Sequence, residues 1–280
     1  MADVKRNREN KVTELAERSG RGRLRKKRRK RKGLRLFFVI AVPLIILSAA
    51  IYCSVSFFFK VEQITVTGES RYAAEEIIEL SEIVTGENLV FLDKKAAERR
   101  VEKGMPYLGK VTVKKSLPSK IEIFVEETYP AKIVFSHEAY YFISPEDKVL
   151  ERAEQPGEHK LPIYILPELE KELEPGDKLQ ILDEISKKIY IDITNVLVDN
   201  NILESVNVID LSDKIALKIQ IGDQYVVDLG DYLDLPKKIN FAKNIMQRLE
   251  EGEKGIIDVS NDKKASFLKM DEITPLLPIE

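Results

Sequence analysis

Two histidines, one cysteine and 47 Asp and Glu residues are the side chains from which this 280-residue chain could build a reactive site. His137 and His159 stand in no metal-ligand spacing such as H-E-x-x-H, and a loop or surface position accounts for each. No G-x-S-x-G nucleophile elbow occurs, nor a phosphate loop of the G-x-x-x-x-G-K-[ST] or G-x-G-x-x-G kind. Cys53 lies inside an apolar run, which removes thiolate chemistry and any intramolecular disulfide. The carboxylates could be drawn as acid–base pairs, but a solvated acidic face explains them without chemistry. Tyr140, Tyr141 and Phe142 could form an aromatic platform; a strand with one buried and one exposed aromatic face is the plainer reading. No cofactor and no metal is expected. Binding through backbone is better motivated, because the edge of an open sheet offers unpaired N–H and C=O groups to another strand.

The elements that would position such an edge are sorted by one stretch, Leu36 to Phe59, which holds 24 residues without a charge. At about 1.5 Å per residue it spans a hydrocarbon core of about 30 Å, so it reads as a transmembrane helix over 36–59. It is too long for a signal peptide and ends in three phenylalanines instead of a small-residue cleavage site. Arg21 to Arg35 carries eleven Lys and Arg and no acid, which predicts a cytoplasmic N-terminus and an external C-terminal part. Residues 1–35 hold sixteen basic and four acidic residues, against 29 and 43 in the remainder. The first 35 residues therefore read as a disordered tail meeting anionic lipid headgroups, and the acidic remainder excludes a nucleic-acid surface.

After the span the pattern is α+β. A strand over VEQITVTG (61–68) is followed by a helix from Ala73 to Val84 with Ala73, Ile77, Leu80 and Val84 on one stripe, stopped by Gly86. A second helix, KKAAERRVEKGM, turns Ala97 and Val101 inward. Two strands, Leu108 to Lys114 and Lys120 to Glu126, form a hairpin through SLPS. Pro130 marks a boundary. Short strands at 131–135, 139–144, 148–150 and 161–166 come next, then a helix between Pro175 and Asn201 carrying Leu179, Leu182, Ile185, Ile189, Ile193 and Val196. Strands at 206–209, 215–221 and 225–229 follow, then a helix begun by Pro236 and closed by Gly252. Terminal strands at 255–260 and 265–270 precede a loose tail, 271–280.

The order strand, helix, helix, strand, strand directly after a single span resembles the POTRA domain of the bacterial cell-division family FtsQ, called DivIB in Gram-positive bacteria. The matching stretches are VEQITVTG at 61–68, GENLVFLD at 86–93 and MPYLGKVTVKKSLPSKIEIFVEETYPA at 105–131. The resemblance implies a POTRA domain over 60–129 and a mixed β domain over 130–270. It further implies a non-enzymatic scaffold of the divisome at the septum. Its partners would be an FtsB-like (DivIC-like) and an FtsL-like membrane protein, and indirectly the septal peptidoglycan synthases. By the same likeness the FtsB-type partner would meet Ile256, Ile257, Asp258 and Val259, with Phe267 and Leu268 nearby, Ile257 supplying a ladder donor at the edge. Core filling is the alternative for these aliphatic residues, and alternation is compatible with both. Arg99, Arg100 and Lys103 on the second helix would lie on a recruitment face, or on an ordinary solvated one. Two rival functions remain at this point: a POTRA-type chaperone or transport component that binds extended polypeptide, and an anchored cell-wall enzyme.

Overall fold

The structure is a computed structural model that describes residues 37, 39–167, 169, 171–261 and 263–277. The basic region expected to meet lipid headgroups, and Leu36, lie outside the described residues. Helix α1, Val39–Phe58, is 20 residues long, with none of its apolar window buried against the rest of the chain. It is about 30 Å long and apolar all round, the form of a helix that crosses a bilayer.

Directly beyond it stands a small sheet. Strand β1 (Gln63–Gly68) is followed by helices α2 (Ala74–Ser81) and α3 (Lys94–Gly104), then by strands β2 (Leu108–Ser116) and β3 (Lys120–Glu127). The sheet order is β1-β3-β2, with β3 parallel to β1 and antiparallel to β2. Val111, Val113, Ile121, Ile123 and Val125 alternate onto the face that Ile77, Ala97 and Val101 cover, giving one buried cluster. Helix α2 stops at Ser81, short of the expected Val84. Glu82 turns left-handed at φ 56°, and the Ser81 hydroxyl accepts the Ile83 N–H at 3.2 Å. Ile83 thus enters the core and Val84 is left exposed.

A nine-stranded mixed sheet follows, with order β12-β11-β10-β9-β8-β7-β4-β5-β6. Its strands are β4 (Lys132–Ser136), β5 (Ala139–Ile143), β6 (Val149–Ala153), β7 (Ile163–Ile165), β8 (Val206–Asp210), β9 (Leu217–Ile221), β10 (Tyr225–Gly230), β11 (Gly255–Asn261) and β12 (Lys264–Lys269). Helices α4 (Glu184–Asp199) and α5 (Leu235–Met246) cover one face through Ile189, Tyr190, Ile193, Leu197, Leu235, Ile239 and Ala242.

Five expectations are corrected here. Helix α4 begins at Glu184, after the Asp183 cap, and not near Pro175. The stretch before it pairs with β6 instead: the Val149 N–H donates to Asp177 O at 2.8 Å and the Leu179 N–H to Asp147 O at 2.8 Å. Leu182 is consequently exposed. Strand β9 starts at Leu217, leaving Ile215 exposed in a loop, and α5 ends at Met246, before Gly252. Tyr140, Tyr141 and Phe142 are all buried, with no exposed aromatic face. The second face of the sheet at Ile133, Tyr140, Phe142 and Val208 is covered by Leu276 and Leu277. The tail expected to be loose therefore folds back over the sheet, and the Leu276 N–H donates to the Gln220 side-chain oxygen at 3.0 Å.

Local capping sets where α3 begins: the Asp93 carboxylate accepts the Ala96 N–H at 3.1 Å. Asp93→Ala should lower stability by about 1 kcal/mol, read as a shifted urea midpoint, and Asp93→Asn, which keeps an acceptor, should lose much less.

Candidate functional site

Chemistry in this molecule concentrates at two places, a buried lysine joining the two sheets and the free ends of the sheets. Lys148, in the turn between β5 and β6, is 6% exposed. Its ammonium donates to the carbonyls of Glu102, Met105 and Leu108, the last two at 3.4 and 2.7 Å. Those carbonyls lie at and just past the C-terminal end of α3, where helix carbonyls lack intrahelical donors and the dipole is negative. Three donors meet three acceptors. Burial pushes the Lys148 amine down to about 8, opposed by the Glu102 carboxylate.

Other groups close the same joint. Gly176, at φ 90°, lies so close that a Cβ there would collide with the Lys103 carbonyl, and Asp177 is 3.8 Å from the Lys103 ammonium. Arg71 stacks over the Tyr107 ring at 3.7 Å and pairs with Glu127 at 2.6 Å. The Tyr107 hydroxyl donates to Glu151 of β6 at 2.9 Å. Burial, then the hydrogen bond to Glu151, raises the Tyr107 phenol above its ordinary value.

The sheet ends differ sharply. Strand β2 ends the small sheet, but its outward Val111 and Val113 N–H groups donate to Glu102 and Glu98 of α3 at 3.0 and 2.8 Å. At the β6 end of the large sheet the 176–179 segment pairs with Val149 and Asp147. At the opposite end, β12 pairs with β11 alone. The Met270 N–H donates to Lys254 O at 2.9 Å. By antiparallel alternation Leu268 then bonds back to Ile256, and the backbone groups of Phe267 and Lys269 point to the free edge.

A family model described as the POTRA domain, FtsQ-type, matches residues 59–128. A DivIB cell division protein of Clostridium botulinum (strain Hall) is 28% identical over 88% of this chain and 94% of its own length. DivIB of Bacillus subtilis (strain 168) is 25% identical over 79% of this chain and 77% of its own. FtsQ of Syntrophotalea carbinolica is 26% identical over 70% and 76%. The chain is a homologue of the DivIB and FtsQ cell division proteins. Its small sheet with α2 and α3 is the POTRA domain.

Strand β11 is not an edge. It lies between β10, parallel, and β12, antiparallel. Ile257 and Val259 are fully buried in the main core, while Ile256 and Asp258 face the other side. Ile257 is therefore no edge donor, and proline there would break the pairing of an inner strand. Phe267 is half-buried, with its ring centroid 6.5 Å from that of Tyr225, and Leu268 is 63% exposed opposite Ile256. On the POTRA domain, Arg99 is exposed. Arg100 instead holds the end of α2, donating to Ser81 O at 2.6 Å and lying 3.2 Å from Glu82. Lys103 faces the joint. His137 sits in the β4–β5 turn beside the Ser136 hydroxyl, and His159 packs edge-on against Phe142. Among the described residues no three His, Cys, Asp or Glu side chains gather as a metal site.

Sequence reasoning missed Lys148, because its acceptors come from 40 to 46 positions away. Lys148→Met should cost about 1–3 kcal/mol, since the carbonyls lose their donor. The unfolded lysine keeps its proton to about 10.5 and the folded one releases it at about 8. Above pH 8 the unfolded state thus binds more protons, and stability rises with pH through that window. The wild-type minus Lys148→Met stability difference should be flat below pH 8 and climb from there to about pH 10.5. A difference that stays flat throughout would show the amine to be unperturbed.

Proposed function

We propose that the chain is a non-enzymatic, single-pass scaffold of the bacterial divisome, its N-terminus cytoplasmic and its two sheets outside. The free edge of β12 carries this reading. It has six residues, Lys264–Lys269, paired on one side only, and it ends a sheet tied through the POTRA domain to a helix long enough to span a bilayer. An extended segment of an FtsB-type (DivIC-type) protein would add to β12 as a further strand, bonding to the outward groups of Phe267 and Lys269. Leu268, with Ile256 beside it on the same face, would give the partner's apolar side chains a place to pack. The edge would thereby hold FtsB-like and FtsL-like proteins near the septal synthases.

The reading is supported by the cell-division relatives over most of the chain and by the contrast between a guarded β2 edge and an unguarded β12 edge. Strand β1 also ends a sheet, but it leaves the membrane helix directly, where α1 and the bilayer restrict approach. Arg99 and Lys103, both exposed on α3, remain the residues for recruitment by the POTRA domain, while Arg100 is engaged in internal contacts.

The test uses full-length chain in nanodiscs and the external segment of a DivIC-type protein. Lys269→Pro removes one outward N–H and obstructs the edge while keeping the inward bonds of Leu268 and Met270. It should weaken binding about tenfold or more, whereas Lys269→Ala, which loses only the exposed pair with Glu253, should stay near wild type. Equal binding by both variants would remove β12 as the docking edge.

A further inference from the structure

The loop between α2 and α3 is fastened to the membrane helix below the helix's outer end. The Asn88 side-chain amide donates to Val55 O at 3.0 Å, and the Leu89 N–H donates to Phe59 O at 2.8 Å. The Phe91 ring centroid lies 6.2 Å from that of Tyr52. Tyr52 is six residues before the end of α1, about 9 Å down the axis. Where α1 crosses a bilayer of about 30 Å, a side chain beside Tyr52 lies at or below the headgroup level. Val90 and Phe91 are nonetheless 44% and 61% exposed to the surroundings.

Irregular backbone enters that zone only if its polar groups are satisfied internally. This loop meets the requirement for its N–H groups from Leu89 to Leu92 and for the Asn88, Val90 and Leu92 carbonyls. The Asn88 side-chain oxygen accepts the Val90 and Phe91 N–H groups at 2.9 and 3.4 Å. The Leu92 N–H donates to Asn88 O at 3.2 Å. Every N–H from Leu89 to Leu92 thus has a partner. The Lys115 ammonium donates to Val90 O and Leu92 O at 3.1 and 2.7 Å. The β2–β3 turn lies at the same end of the domain, because the Glu62 N–H donates to Ser119 O at 2.8 Å, and Leu117 there is 66% exposed. Lys60 and Lys120 flank these apolar tips, the arrangement of a surface that meets lipid headgroups.

We propose that this end of the POTRA domain is a second membrane contact: Val90 and Phe91 enter the outer leaflet's headgroup–acyl boundary and Leu117 rests on it, fixing the domain against the lipid surface. The inference depends on α1 spanning the bilayer. A free loop would need only to connect α2 to α3. This one is rigidified by Asn88 and Lys115 while turning its apolar side chains outward, toward the medium that surrounds Tyr52.

The chain contains no tryptophan, so single tryptophans report depth without background. Full-length Phe91→Trp, Leu47→Trp and Ile215→Trp are reconstituted into phosphatidylcholine–phosphatidylglycerol vesicles whose acyl chains are unbrominated, brominated near the headgroup (to report Phe91→Trp) or brominated near the bilayer centre (to report Leu47→Trp). Circular dichroism checks that each variant is folded. Phe91→Trp should show blue-shifted emission and roughly a twofold loss in brominated vesicles. Leu47→Trp, within the span, should also be quenched, and Ile215→Trp, in an exposed loop of the large sheet, should not. Quenching of Leu47→Trp with Phe91→Trp behaving like Ile215→Trp overturns the lipid contact and leaves the span intact. A blue-shifted but unquenched Phe91→Trp overturns it too, since the ring would then be covered by protein. An unquenched Leu47→Trp overturns the spanning reading, and this inference with it.

Discussion

A sheet leaves a row of backbone donors and acceptors at each end, and the way each row is satisfied organises this molecule. At β2, Glu98 and Glu102 reach across from α3 to take the N–H groups that a neighbouring strand would have taken. Any competing strand would have to displace charge-assisted bonds. At β6, residues 176–179 cover its first residue, Val149, and the turn before it. Strand β12 has neither device, and its sequence places lysines at both ends and one exposed leucine between them. Terminal lysines discourage indiscriminate pairing without filling the hydrogen-bond row, which fits the docking proposed for this edge.

The same accounting applies where α3 ends. Its last carbonyls need donors, and the chain meets them with a lysine from the other sheet instead of a local cap. An ammonium withdrawn from water is tolerated because all three of its protons are placed, and those placements require the two sheets to be in register. Gly176 permits the close approach, and the Arg71–Tyr107–Glu151 chain repeats the tie on another side. The joint joins the units by directed bonds more than by apolar area, so it specifies an orientation as well as an attachment.

Much of this was legible in the residues. Strict alternation at Val111, Val113, Ile121, Ile123 and Val125 gave the hairpin and its buried face, and the uncharged run before Lys60 gave the long apolar helix α1. Three kinds of feature were not legible. The stripe from Leu179 to Val196 has helical spacing throughout, yet residues 176–179 pair with β6, and tertiary pairing overrides local period. The aliphatic pattern of Ile256 to Val259 reads alike for an edge and an inner strand, because alternation specifies faces and says nothing of neighbours. The tail at Leu276 and Leu277 looked loose because a short Pro-flanked segment has no period at all. It is held by the apolar face of β4, β5, β7 and β8, which would otherwise be bare.

These constraints combine into a statement about height. The β2–β3 turn lies beside Glu62, next to the end of α1, and β2 runs from there back to Leu108. At about 3.3 Å per residue, Leu108 is roughly 26 Å along the sheet from Ser116. The Lys148 ammonium is bonded at Leu108, so the large sheet is attached at the end of the POTRA domain away from α1. Flexibility at either junction would let the β12 edge sample a wide volume, and a partner strand anchored in the same membrane would find it rarely. Fixing the lower end against α1 and the upper end through Lys148 narrows that volume, which in the proposed docking would raise the effective concentration of one membrane-tethered strand for the other. The bonds at Asn88 and at Lys148, far apart in space and unrelated in sequence, therefore act on one quantity: where the open edge of β12 is held relative to the outer end of α1.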